Sequence, residues 1–193
     1  MIESVLQRKN VKAGVRLTIK TALSAALIAV AVLLPQLVHF AAGAEGGMHW
    51  LPMYLPVLLG GCLLGWRWGL GVGILAPLVS FAVTSATGSP MPAAARLPYM
   101  MAELAVFAAV SGAFSSAVSK NAWMAFPAVP LASVSGRLFF LAVAAVFQSV
   151  SPLSAAVVWS QIQAGLPGLV VLQAVIVPFV VMGIAALLNR NKK

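Results

Sequence analysis

Aspartate is absent from this chain, and glutamate occurs three times, at Glu3, Glu45 and Glu103. Cysteine occurs once, histidine twice, and charged residues make up only 8% of the 193 positions. Each shortage closes off a class of function. A single cysteine forms no internal disulfide and matches no zinc or iron–sulfur spacing, so Cys62 reads as a small packing residue. Two histidines and three acids assemble no credible metal site. There is no H-E-x-x-H, no pair of carboxylates in one apolar run and no G-x-x-x-x-G-K-[ST] phosphate loop, so neither a catalytic constellation nor a cofactor is expected. Ser111-Gly112 imitates the G-x-S-G of intramembrane serine proteases, but position 109 is alanine and no histidine lies within a span to accompany it. A soluble domain carries about 25% charged residues. This chain has too few charges to cover a surface facing water.

What it has instead is 62% hydrophobic residues, in long uncharged runs. Residues 21–44, 46–66, 68–95, 104–119, 121–136 and 138–189 contain no Asp, Glu, Lys or Arg. A bilayer-spanning helix needs about 20 mainly apolar residues, which predicts six spans at 17–38, 49–65, 69–87, 98–118, 127–149 and 166–188. An outer-membrane barrel would alternate apolar and polar residues over segments of about 10, and nothing here alternates. The expected fold is an all-α membrane protein, a single six-helix bundle in one domain without internal repeats. Gly65-Trp66-Arg67-Trp68-Gly69 reads as a tight hairpin with interfacial tryptophans. The longer connections at 39–48, 88–97 and 150–165, rich in Gly, Pro, Ser and Ala, read as loops.

Basic residues fix the orientation. Arg8, Lys9, Lys12, Arg16 and Lys20 precede the first span, Arg67 and Lys120 lie in short connections, and Arg190, Lys192 and Lys193 follow the last span. By the positive-inside rule these regions and both termini are cytoplasmic, and the three long connections face outward. The net charge of +9 is therefore topology together with attraction to anionic lipid, and not a nucleic-acid footprint, since no aromatic groove is interleaved with it. The basic start, apolar run and Ala42-Gly43-Ala44 imitate a secretory signal, but the run exceeds the usual core of about 7–15 residues, so an uncleaved first span is expected.

Small residues let helices approach closely in lipid. Ala22, Ala25, Ala26 and Ala29 lie on one face of the first span, where internal packing and a partner protein are equally good readings. Gly61, Gly65, Gly69 and Gly73 suit packing within the bundle. Pro52, Pro56, Pro77 and Pro178 fall inside predicted spans, where bent helices leave cavities. Ionisable groups within a span cost about 2.5–3.5 kcal/mol on insertion scales and are functional candidates. Glu103 in the fourth span and Arg137 in the fifth are the two here. They are read either as an ion pair locking two helices or as groups facing a solute, with Tyr99 one turn before Glu103. His49 opens the second span beside Trp50, either as an interfacial anchor or as part of a pocket. Gln173 in the sixth span and Arg96 in an outer loop complete the set.

These residues resemble a family. "MHWLPMYLPVLLGGCLLGWRWGLGVGILAPLVSFAVT", then "LPYMMAELAVFAAVSG", then "SGRLFF", in that order, are similar to the substrate-capture subunits (S components) of energy-coupling factor (ECF) transporters, over about Leu17 to Leu188. The resemblance implies a six-helix binding protein, not an enzyme, in a prokaryotic cell membrane. Its pocket would open outward beneath the three long connections. It would topple in the membrane to deliver a vitamin-like ligand through a shared transmembrane (T) subunit driven by two ATPase subunits. It further implies that Ala22, Ala25, Ala26 and Ala29 face that partner, with His49, Tyr99, Glu103 and Arg137 in or near the pocket. Trp50, Tyr54, Tyr99 and Trp159 are the few aromatics at hand, which argues against a large ring stacked between tryptophans. A Glu with an Arg suits a ligand bearing both donors and acceptors, such as a modified nucleobase or a pantothenate-like acid. A self-sufficient secondary transporter is the alternative, although no inverted repeat is detectable. A membrane enzyme lacks its catalytic groups.

Overall fold

The structure is a computed structural model and describes residues 1–147, 149 and 153–190; Lys192, Lys193 and the stretch 150–152 of the third long connection lie outside the described residues. Helices α1 (Ile2–Arg8), α2 (Ala13–Trp50), α3 (Tyr54–Leu64), α4 (Trp66–Ala86), α5 (Leu97–Ala113), α6 (Ser115–Lys120), α7 (Ala125–Phe147) and α8 (Ala155–Ala164) follow in order. A π-helical segment, Gly168–Ile176, then runs directly into α9 (Val177–Arg190). Among the described residues six stretches are long and apolar enough to cross a membrane: Ala13–Gly43, Gly46–Leu64, Trp66–Ala86, Ala94–Ala113, Ala122–Phe147 and Gly168–Leu188. The chain is an all-α, multi-pass membrane protein. Every predicted span has its counterpart, with boundaries displaced by no more than five residues.

Three local expectations need correction. The connection at 39–48 is helical: α2 continues through it, broken only at Gly43, whose φ of 69° and ψ of −171° are open to glycine. Its alanines propagate helix, and apolar surroundings favour a backbone bonded to itself. The fourth span stops at Ala113; Phe114 forms a turn and the rest belongs to α6. The connection at 150–165 contains α8, capped by Ser154 Oγ, which accepts from the Val157 N–H.

The prolines also act differently from expectation. Pro52 lies in the turn between α2 and α3, after Leu51 in the left-handed region (φ 50°). Pro56 sits in the first turn of α3, where its missing N–H has no intrahelical acceptor to lose. Neither bends α3. Pro178 crowds the carbonyl four residues before it, and the wider π turns ahead of it accommodate that.

Glycine contacts hold the bundle together. A Cβ at Gly73 would lie 2.6 Å from the Leu104 carbonyl oxygen of α5, and one at Gly69 would lie 2.9 Å from Gly61 Cα. A Cβ at Gly61 would strike Ser111 Oγ. Gly61, Gly69 and Gly73 therefore pack inside the bundle, as read from sequence. Gly65 alone (φ 87°) separates α3 from α4, so the hairpin is tighter than five residues.

The two ends of the bundle differ. At one, α1 folds back against the connections: the Met1 amine donates to Ser115 Oγ at 2.8 Å, Ser4 pairs with Ser119, and Glu3 pairs with Lys20 and Arg16. Ala185 and Leu188 of α9 border the same end, so α1 and the last turns of α9 lie together. At the other, His49 Nδ1 donates to the Ala164 carbonyl at 2.8 Å. There the connection after α4 is tied down by Ser80 Oγ, which donates to the Met91 carbonyl, and by Thr84 Oγ1, which accepts from the Met91 N–H.

Candidate functional site

The site begins at the turn Leu51–Met53, which aims the first residue of α3, Tyr54, into the bundle, where it is 2% exposed. Its hydroxyl donates to Glu103 Oε2 of α5 at 2.7 Å. Arg137 of α7 donates from Nη1 to Glu103 Oε1 at 2.8 Å, and more distantly to the Tyr54 hydroxyl at 3.4 Å. The guanidinium also lies over the Tyr54 ring, 4.6 Å from its centre. Phe107, one turn after Glu103, packs edge-on against Tyr54 with ring centres 5.0 Å apart. Gly136 makes this possible, since a Cβ there would strike the Phe107 ring. The ion pair read as one alternative from the two isolated charges is therefore formed, and it includes a tyrosine.

Both charges are enclosed, Glu103 at 0% and Arg137 at 4% exposure. Such a pair holds only if its remaining donors and acceptors are satisfied. The carboxylate has a donor on each oxygen. The guanidinium is incomplete: Arg137 Nη2 is buried with no hydrogen-bond partner among the described residues. The same is true of Ser133 Oγ and of both Gln173 side-chain polar atoms, in residues that are fully buried. Ser133 is one turn before Arg137 on the same face of α7. Ser111 bonds back to the Phe107 carbonyl of its own helix and Thr84 to that of Ser80, while Ser133, like Ser24 on α2, is without a partner among the described residues.

Gln173 is placed by the π-helical segment, which packs against both α3 and α7. Gly168, at the head of that segment, comes so close to the end of α2 that a Cβ would lie 2.5 Å from the His49 carbonyl and 2.6 Å from that of Trp50. Gln173 follows Gly168 by five residues within the segment that packs against α3 and α7, and it is fully buried. π turns recur at functional sites because they shift side chains out of helical register.

A cavity of about 360 Å³ opens on the other side of Tyr54, between α2, α3, α4 and the connection after α4. Pro35, Leu51, Tyr54, Ser80, Met91 and Arg96 are among its walls, and most of the lining is apolar. Tyr54 borders both the cavity and the polar layer. Arg96 lines the cavity while its guanidinium lies 5.9 Å from the centre of the Phe140 ring on α7.

Of the predicted site residues, Glu103 and Arg137 meet directly, Gln173 is fully buried in the segment packed against α3 and α7, and Arg96 stands at the cavity wall. Tyr99 is half-buried beside Phe140, with ring centres 6.3 Å apart, and lies outside the cavity lining. His49 lies in the first turn of the second membrane-crossing stretch, Gly46–Leu64, is exposed, and donates to the Ala164 carbonyl at the end of α8. Ala22, Ala25, Ala26 and Ala29 are all exposed on α2, so internal packing does not use them. Sequence reading weighed Tyr54 only as a ring and passed over Ser133. A hydroxyl on an apolar helix is inexpensive enough to give no signal, whereas an uncompensated charge stands out. Comparison of the chain with protein-family models, with curated proteins and with solved structures finds no match.

Proposed function

We propose that this chain is the solute-capturing subunit, or S component, of an ECF-type importer in a prokaryotic plasma membrane, a binding protein and not an enzyme. The observation that carries the reading is the enclosed Tyr54–Glu103–Arg137 group with unpartnered polar atoms beside it, set below the loop-bearing end. A buried polar atom without a partner costs about 1–3 kcal/mol, and several in one membrane protein suit a site completed by a polar solute. The solute enters from the face opposite the basic residues, by way of the cavity flanked by Tyr54 and Arg96. Both carboxylate oxygens of Glu103 are engaged, which suits binding better than proton abstraction. The exposed alanine face of α2 supports the remainder: small residues left uncovered in lipid suit a helix of a second membrane subunit. That subunit, with two ATPases, supplies the energy for uptake of the vitamin-like solute. Affinity purification of the tagged chain from its own membranes tests the assignment. It is expected to bring down one polytopic subunit and a pair of ATPases; solute uptake by the chain alone in proteoliposomes would replace it with a self-sufficient transporter.

A further inference from the structure

Resting on the solute-capture reading, we infer that the end of the solute bound deepest is uncharged and amide-like, presenting a hydrogen-bond acceptor and a donor on one edge, held by Ser133, Gln173 and Arg137 Nη2. Two features of the layer lead there. The first is charge. Glu103 and Arg137 neutralise one another at 2.8 Å, and both carboxylate oxygens are occupied. A ligand carboxylate placed beside them would be an uncompensated anion in apolar surroundings, where isolated charge is strongly disfavoured. Arg96, half-exposed at the cavity wall with its guanidinium near the Phe140 ring, would meet charge elsewhere on the solute.

The second feature is the set of unused atoms. Arg137 Nη2 can only donate, the Gln173 amide offers one acceptor and a donating NH₂ group, and the Ser133 hydroxyl does either. An amide, lactam or ureido edge fits that complement: its carbonyl accepts from Arg137 and from Gln173 Nε2, and its N–H donates to Gln173 Oε1 or Ser133 Oγ. A carboxylate would satisfy the donors and leave Gln173 Oε1 facing another acceptor. Ser133 and Gln173 are thus specificity-determining residues, kept in a form that weakens the empty protein.

Thermal unfolding of the full chain in detergent, with benzamide and benzoate as a matched pair of probes, tests this. Benzamide at millimolar concentration is expected to raise the wild-type Tm by a few degrees, and benzoate to leave it unchanged. Ser133→Ala and Gln173→Met, which remove unpartnered polar atoms, are expected to raise the Tm of the empty protein and abolish the benzamide response. A response to benzoate alone, or a lowered Tm in Gln173→Met, overturns the inference but leaves a solute-binding protein. No response to either probe, together with no small molecule released on denaturing the wild type, overturns the capture reading as well.

Discussion

The first two membrane-crossing stretches, the long leg of α2 and the segment containing α3, are neighbours in sequence and both strongly apolar, yet they occupy opposite environments. Of the most apolar window in Ala13–Gly43, 17% is buried within the protein, against 67% in Gly46–Leu64, although the former is the more hydrophobic. In water the greasier helix would be the inner one. In a bilayer hydropathy favours neither position, because lipid solvates apolar side chains as well as another helix does. What separates the two is glycine and polar chemistry. Gly60 and Gly61 let neighbouring helices close upon α3, and Tyr54 carries a hydroxyl that needs a buried partner. The leg of α2 has alanines on an open face, and its polar links to other elements are part-buried ones, Gln36 to Met91 and Arg16 and Lys20 to Glu3.

Removing what is unique to the α3 environment should have the largest effects. Arg137→Met leaves Glu103 buried without its cation, and a stability loss of about 3–5 kcal/mol is expected. Chemical or thermal denaturation would show it, with Glu103→Gln in the same chain restoring most of the loss; an unchanged single variant would mean the pair is not enclosed. Next comes Gly73→Leu. The obstruction it meets is the Leu104 backbone, which cannot rotate away, so about 3 kcal/mol, the upper end for overpacking, is expected. Ala26→Leu is its counterpart on α2. It should leave the folded fraction in size-exclusion chromatography unchanged and, if the chain is the importer subunit proposed above, reduce solute uptake. Loss of folding would move the alanine face inside the bundle.

The same comparison explains what was legible in advance. Span positions follow from charge-free length, and each is recovered. Glu103 and Arg137 stand out because a charge in an apolar run has few neutral explanations. The continuation of α2 through 39–48 was hidden because alanine and glycine together read equally as loop; only backbone angles show that Gly43 alone breaks the helix. The π segment has no sequence signature beyond Pro178, and Gln173 gained its meaning only when its amide proved fully buried without a partner among the described residues. Tyr54 and Ser133 are ordinary residues made unusual by where they are buried.

Smaller effects follow from single hydrogen bonds. Tyr54→Phe keeps the ring under the Arg137 guanidinium but deletes the donor to Glu103 Oε2, and about 1.5–3 kcal/mol of stability should be lost, as for hydrogen bonds to charged groups. Ala→Gly changes on the open face of α2 should lose less, since no enclosed bond depends on them. Least affected is the docking of α1. The Lys20 ammonium, hydrogen-bonded to Glu3, holds that carboxyl below its ordinary value of 4.5. Docking is therefore fully supported above about pH 4.5 and is lost as pH falls through the lower folded value. Proteolysis at Arg8 and Lys9 should accelerate in that acid range, and Glu3→Gln should make cleavage independent of pH there.

The central claim is that the polar layer beside α3 holds a solute and is not only a lock between helices. Native mass spectrometry of protein purified from cells grown in rich medium tests it most directly, comparing wild type with the neutral double variant Glu103→Gln/Arg137→Met. The wild type is predicted to carry a bound small molecule that the folded double variant lacks; the same bound mass in both proteins would contradict the account.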